Sequence, residues 1–395
     1  MSSRSPLVAR HALAPEDIAE ITAWRHHLHG MPEVSGEEVA TAAEVARFMR
    51  ETGPDEIVTG LGGTGLAVVY DSGKPGPTVM FRAELDALPI EERGEPSYRS
   101  KVAGKGHMCG HDGHMAILAA TGRSFGAKRP QRGRAILLFQ PAEETGAGAK
   151  AVLADPAFAA LRPDYSLSLH NMPGLPLGHV WLKDGPANCA SRGMRITLSG
   201  CTAHAASPET GLSPVNAVAA LLPALGGLAA GTLEDGDLRR VTITHVRIGE
   251  AAFGIAPGAA EIWATLRTST DDDMAALVET AEALVGTAAA ADGLAVTIDY
   301  SDIFGHCIND PQAAAILRRA LETEGIPHAP GQPFRASEDF GRFATVSKSA
   351  MLFLGAGKDH PALHDPRYDF PDALIGIGAG IFLAAATELL GHHPR

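Results

Sequence analysis

The densest chemistry in the chain is the run Gly106-His-Met-Cys-Gly-His-Asp-Gly-His114, one thiol and three imidazoles on a glycine-rich turn. From such a turn Cys109 and His111 can reach a common metal ion, because flanking glycines let the backbone approach closely. The segment alone leaves three readings open: metal ligation, a thiol nucleophile, or histidines that only cap the following helix. A second segment, Phe139-Gln-Pro-Ala-Glu-Glu-Thr145, sets two carboxylates side by side after an apolar run. Adjacent carboxylates at a strand end can point to different places, so one can bind metal while the other stays free as a base. The plain alternative is a pair of surface glutamates. Three single groups complete the candidates: Asp86 in Glu84-Leu-Asp-Ala-Leu-Pro89, His170 after Tyr165-Ser-Leu-Ser-Leu169, and His364 in Pro361-Ala-Leu-His-Asp-Pro-Arg-Tyr-Asp-Phe370. A lone loop histidine is ordinarily a surface residue.

What gives these groups a common address is the pattern of elements before them. Thr78-Val-Met-Phe-Arg82, Ala135-Ile-Leu-Leu-Phe139, Tyr165-Ser-Leu-Ser-Leu169 and Ala350-Met-Leu-Phe-Leu354 are short apolar runs that end in polar residues, the signature of interior strands. Helical stretches fall between them, His114 to Phe125 and Pro311 to Glu324 among them, and the alternation predicts an α/β core. Ligands of open α/β sheets collect at the carboxyl ends of strands, so Asp86, Glu143, Glu144, His170 and the segment after residue 354 can share one crevice. Two amphipathic helices, Pro15 to His29 and roughly Gly36 to Thr52, open the chain. Between about Asn188 and Asp302 the texture changes to alternating strands with two helical stretches in βαββαβ order, which builds a small sheet with two helices on one face. The domains predicted are therefore residues 1–187 with 303–395, and an inserted unit at 188–302.

Length and composition agree with two cores. A chain of 395 residues exceeds the usual reach of a single core. Its 33 basic and 46 acidic side chains give a formal charge of -13, which opposes non-specific attraction to nucleic acid or an anionic membrane surface. Cys109, Cys189, Cys201 and Cys307 are scattered, as in a protein of a reducing compartment. Residues 1–14 hold no continuous apolar stretch of a leader, and the apolar run Ala373 to Leu390, with Asp372 before it and Glu388 within it, reads as a buried helix. The expectation is a cytoplasmic protein with no nucleic-acid or membrane partner.

Taken together, the motifs resemble the M20 metallopeptidases, in the branch of aminoacylase, hippurate hydrolase and indoleacetyl-amino acid hydrolase. The resemblance covers nearly the whole chain: Leu28-His-Gly-Met-Pro-Glu33, Arg82-Ala-Glu-Leu-Asp-Ala-Leu-Pro89, Cys109-Gly-His-Asp-Gly-His114, Gln140-Pro-Ala-Glu-Glu144, Leu169-His170, Ala203-His-Ala205, Ser337-Glu-Asp-Phe340, and Leu363-His364 through Tyr368-Asp-Phe370. It implies a di-metal α/β catalytic domain with an inserted ferredoxin-like α+β lid, and a homodimer formed through that lid. It implies ligation of two divalent ions, zinc or manganese before cobalt or nickel, by Cys109, His111, Glu144, His170 and His364. Glu143 matches the general base, Asp86 an acid that supports a ligand, His204 a lid histidine that meets the reacting carbonyl, and Glu338 a residue lining the site. His107 and His114 are expected to pack or hydrogen-bond. The activity implied is hydrolysis of N-acyl amino acids or related small amides, with an M20 dipeptidase or exopeptidase as the alternative and a non-catalytic metal-containing binding protein as a third reading. Glu250 and Gly254 in His245-Val-Arg-Ile-Gly-Glu-Ala-Ala-Phe-Gly-Ile-Ala-Pro257 stand where the family commonly has Gly and Asn, which points to a specialised substrate pocket.

Overall fold

The computed structural model of the protein describes residues 13–392, so the expectation about a leader falls almost wholly outside the described residues. Two compact units divide the chain: one runs up to Ala187 and resumes over Ile308–Gly331 and from Asp339, and the other comprises Asn188–Cys307 and Gln332–Glu338. The inserted unit thus extends past the expected boundary at 302 and gains a short later segment. Both additions have local causes. The strand Ala295–Phe304 keeps its pairing with Ala190–Ser199 out to Phe304 opposite Ser191. Phe334 bridges to Asn188, and the Arg267 Nη1 donates to Arg335 O and Ser337 Oγ, each at 3.0 Å.

The first unit is built on an eight-stranded sheet in the order Glu56–Leu61, Gly65–Asp71, Arg134–Gln140, Thr78–Glu84, Tyr165–Pro173, Lys348–Gly357, Val180–Trp181, His328–Ala329. Its four central strands, Arg134–Gln140 through Lys348–Gly357, run parallel. Strands covered on both faces bury every residue, which is why Ala135-Ile-Leu-Leu-Phe139 shows no polar alternation. The helices His111–Ala127, Pro311–Glu324 and Ala373–Leu390 share one core with these strands. Ala373–Leu390 and Asp271–Ala291 are long and apolar enough to cross a membrane by length and composition. The first is mostly buried, and a Cβ added at Gly378 would come within 2.5 Å of Ile117, so that glycine sets its close approach to the neighbouring helix. The second buries Met274, Leu277, Ala281, Val285 and Ala289, one stripe at helical spacing, in the core of its own unit.

The second unit is a four-stranded antiparallel sheet in the order Arg239–Ile248, Ala259–Thr268, Ala190–Ser199, Ala295–Phe304, with the helices Val215–Gly226 and Asp271–Ala291 in its core. In chain order this is βαββαβ with the first strand inside the sheet, the ferredoxin-like arrangement. Sequence periodicity placed all six elements, and the observed ones begin or end a few residues away, as fraying ends do. No disulfide joins the cysteines among the described residues.

Candidate metal centre

The turn that carries Cys109 is held in place by its own glycine and by a neighbour's amide. Gly110 sits at φ 87°, in the left-handed region, and a Cβ there would lie 2.7 Å from Asn171 Nδ2. The Asn171 amide donates to Cys109 O at 2.7 Å, and its Oδ1 accepts from the buried Tyr368 hydroxyl in a short contact. The helix then starts at His111, three residues before the expected His114. The strand expected to end at Leu169 runs four residues further, Tyr165–Pro173, so His170 lies inside it, and its Nε2 faces Cys109 Sγ at 3.5 Å. Its Nδ1 donates to Asn171 O at 2.8 Å, which leaves the Nε2 lone pair for another partner.

His111 is oriented in the same way from the other side. Its Nδ1 donates to Asp86 O at 2.8 Å, so in the neutral ring Nε2 is an acceptor, and Glu143 Oε2 and Glu144 Oε1 each lie 3.9 Å from it. The second oxygen of Glu144 is 3.5 Å from His364 Nε2. His364 adopts φ 66°, an uncommon backbone for a residue with a Cβ, and its N–H donates to Met108 O at 2.8 Å. Ligand atoms of Cys109, His111 and His170 come within 4.8 Å of one another, as do those of Cys109, Glu144 and His364, and those of His111, Glu143 and Glu144. The five residues proposed from sequence as ligands are therefore one cluster, with Glu143 on its flank.

The donor set fits cations. His111 Nε2 and Glu144 Oε1 are both buried, both without a hydrogen-bond partner, and aimed at a shared space. Two acceptors facing each other at 3.9 Å repel unless positive charge lies between them. Thiolate, imidazole and carboxylate together suit zinc or a similar borderline ion. The surrounding carboxylates favour positive charge here, whether a cation between the two groups or a proton on His111. Burial opposes charge on His111, yet its hydrogen bond to Asp86 and the fields of Glu84, Asp86 and Glu144 raise its pKa to about 10. Burial and then the same glutamates push the Cys109 thiol well above its usual range. His170, buried and near His114, is held neutral with its pKa lowered to about 3. Glu84, His111 and His114 also cluster, but Glu84 Oε2 and His114 Nδ1 are already paired at 2.6 Å.

Beneath the cluster lies a buried polar layer that sequence reasoning left without roles. Arg82 is paired with Glu84 in a short contact and with Asp339 at 2.8 Å, and Asp339 also accepts from Gln140 and from Ala149 N. On the far side of the turn, Asp112 accepts from Arg25 Nη1 at 3.0 Å and from His29 Nδ1 at 2.8 Å. Arg82, Asp339 and Tyr368 stood inside the quoted motifs; their burial, rather than their type, marks them as structural.

Two of the residues singled out from sequence belong to the second unit. Glu338 is buried at the end of the 332–338 segment. His204 is exposed on the two-residue strand Ala203–His204, which pairs with Ile255–Ala256. His204 Nδ1 accepts from Ala206 N at 3.1 Å, so the neutral ring carries its proton on Nε2.

Comparison with known proteins bears on the whole chain. Residues 80–388 match the model of peptidase family M20/M25/M40. An N-acetyl-L-cysteine deacetylase of Bacillus subtilis is 31% identical over 369 residues, 93% of this chain and 87% of that protein. Hippurate hydrolase of Campylobacter jejuni is 30% identical over 369 residues, 93% of this chain and 95% of its own. Among solved structures, the Bacillus subtilis YxeP protein, a dinuclear metal-binding peptidase of the M20 family, superposes with a TM-score of 0.80 at 24% identity, covering 96% of this chain and 100% of that one. With the matched span exceeding half its length, the chain belongs to peptidase family M20/M25/M40.

Proposed function

We propose that the protein is a metal-dependent amidohydrolase that cleaves the amide bond of N-acyl amino acids or related small amides. The observation that carries the reading is the meeting of His111 Nε2 and Glu144 Oε1, buried acceptors 3.9 Å apart, beside a second carboxylate, Glu143. Cys109, His111, Glu144, His170 and His364 would hold two divalent ions, zinc or manganese before cobalt or nickel. Bound there, the ions supply Lewis acidity and acidify a water. Glu143 takes that water's proton as it attacks the amide carbon and passes it to the leaving nitrogen. His204 presents a donor, Nε2–H, of the kind that stabilises a developing oxyanion. Asp86 orients, since its carbonyl fixes the His111 tautomer and its Oδ2 accepts from Glu144 N at 3.0 Å. Glu338 lines the site. Relatives named for deacylation of N-acetylcysteine and hippurate support the amide class over the dipeptidase or exopeptidase alternative. The second unit acts as lid and dimerisation surface; its edge strand Arg239–Ile248 is exposed along most of its length. A cytoplasmic setting accompanies this reading.

The test separates ion binding from proton transfer. Glu143→Gln retains bound metal by elemental analysis and loses about 10²–10⁴-fold in turnover of N-acyl amino acids. Cys109→Ala and His364→Ala lose metal content instead. Wild-type turnover by the Gln variant removes Glu143 from its role, and unchanged metal in both Ala variants refutes the ligand set.

A further inference from the structure

His114 stands in the first turn of the helix His111–Ala127 and is buried together with Glu84 and Asn171. Its Nδ1 lies 2.6 Å from Glu84 Oε2. Its Nε2 accepts from the backbone N–H of Asn171 at 3.2 Å. A peptide N–H can only donate, so Nε2 carries no proton. The ring is therefore the neutral form with its hydrogen on Nδ1, given to the Glu84 carboxylate.

That assignment fixes the carboxamide of Asn171. Its Nδ2 donates to His114 Nε2 at 3.1 Å and to Cys109 O at 2.7 Å, while Oδ1 accepts from the Tyr368 hydroxyl. Turned over, the amide would set its oxygen against two acceptors, so only one orientation is satisfied. The backbone of the same residue serves the other side: its carbonyl accepts from His170 Nδ1 at 2.8 Å. The His114 ring also stands edge-on to the His170 ring, with centroids 4.8 Å apart. Asn171 thus touches two proposed ligands, Cys109 and His170, whose Sγ and Nε2 are 3.5 Å apart. His114 is the acceptor that engages both its peptide and its side-chain donor. A histidine buried only to fill space has no need of this arrangement.

We infer that His114 is a positioning residue of the metal centre: anchored by Glu84 as a neutral acceptor, it sets Asn171, and through Asn171 it sets the Cys109 thiolate and the His170 imidazole relative to one another. The inference rests on the ligand set proposed above. It predicts that His114 governs ligand geometry without itself meeting an ion, in the way that groups hydrogen-bonded to ligands tune metal affinity.

Cobalt(II) loaded into the full chain reads this geometry through the thiolate-to-cobalt absorption of Cys109 and the visible bands of the ion. The wild type is compared with His114→Leu, which fills the space without an acceptor, and with His114→Gln, whose carboxamide oxygen can accept from Asn171 in place of Nε2. Glu84 keeps Arg82 as a partner in both variants. The Leu variant should shift or weaken the thiolate band and lose about 10–100-fold in cobalt affinity by chelator competition, and the Gln variant should restore the band and come within about threefold of wild-type affinity. Urea unfolding is measured alongside: lost stability with an unchanged cobalt spectrum and affinity leaves His114 a packing role and overturns the inference, with the ligand set intact. A second measurement does not depend on the Leu variant folding. In the zinc-loaded wild type with isotope-labelled histidine, NMR of the ring nitrogens should show one proton on the His114 ring, on Nδ1, the signal being assigned by its absence from His114→Gln. A proton on Nε2 overturns the inference. A wild-type cobalt spectrum without a thiolate band overturns the ligand set and the inference with it.

Discussion

Replacing Asp112 by Asn tests whether the anchor next to His111 is electrostatic. Asp112 is fully buried and accepts from Arg25 and His29, both also fully buried. Arg25 keeps Asp369 at 2.8 Å and Asp372 at 2.8 Å as partners, so the group that loses most is His29. Burial opposes charge on His29, but the Asp112 carboxylate and hydrogen bonds to Asp112 and Glu92 raise its pKa from 6.5 to about 10. That displacement corresponds to roughly 5 kcal/mol, at about 1.4 kcal/mol per unit. The lowered pKa of Asp112 reports the same contact from the other partner and is not added. Removing one member of a buried pair costs about 3–5 kcal/mol by general experience, which agrees.

The sign follows from linkage. His29 is charged in the native state up to pH near 10 but in the unfolded chain only below about 6.5, so its contribution is complete below the lower value and disappears as pH rises through the higher. The metal-free wild type should lose on the order of 1.4 kcal/mol per pH unit from this group across that window. Asp112→Asn should be less stable by about 3–5 kcal/mol at neutral pH, and the difference between the proteins should shrink towards pH 10. Urea unfolding in a chelator, at half-unit intervals between the two values, measures both quantities. A gap that stays constant with pH would refute the charged-His29 account, even if the variant were unstable.

Other substitutions report on how Cys109 is placed. Tyr368→Phe removes the donor to Asn171 Oδ1 and should cost about 1–3 kcal/mol in urea unfolding, together with weaker metal retention; a stability change below about 0.5 kcal/mol would show that Asn171 is held by other contacts. Gly110→Ala pays the left-handed backbone cost of about 1–2 kcal/mol and also drives a methyl towards Asn171. Gly104→Ala, at φ 73° with nothing within 4 Å, pays only the first. Metal analysis of the two variants should therefore find depletion in the first alone, and equal metal content would remove Asn171 from the placement of Cys109.

Much of this was legible before any coordinates. The run Ala135-Ile-Leu-Leu-Phe139 reads as an interior strand, and four such runs ending in polar groups directed Asp86, Glu144 and His170 to one end of a sheet. The βαββαβ order of residues 188–302 was equally plain, because its strands alternate and its helices do not. What stayed hidden depended on tertiary partners. No local pattern foretold that 332–338 would side with the inserted unit, since Arg267 and Asn188, which hold it, are far away in sequence. The pairing of Arg82 with Asp339 was invisible for the same reason: both residues were seen in motifs, but only burial distinguishes an internal ion pair from two surface charges. The start of the helix at His111 was missed because Gly110, read as a loop residue, serves as the helix entry in the left-handed region.

The paired glutamates show how a backbone turns adjacent residues to different tasks. Ala142 adopts φ 48°, and the strand end is fastened there by Ala142 N to Glu38 Oε1 at 2.8 Å and Gly148 N to Ala142 O at 3.0 Å. Two residues later the peptide of Glu144 is caught by Asp86 Oδ2. Asp86 thus acts twice, its side chain fixing the backbone of Glu144 and its carbonyl fixing the ring of His111, and the two acceptors that face each other owe their positions to this single residue. The consequence is a coupling rather than a sum. Substituting Asp86 by Ala leaves the carbonyl that accepts from His111 but removes the acceptor of Glu144 N and the Oδ1 that lies 3.4 Å from His111 Nδ1, so it should disturb Glu144 first and His111 less, whereas Ser35→Ala, which removes only the 2.7 Å donor to Oδ2, should disturb neither directly. If the cluster is a metal centre, metal content should fall far more in the first variant than in the second; comparable losses would mean that Asp86 is held by Ser35 and does not itself hold the two groups.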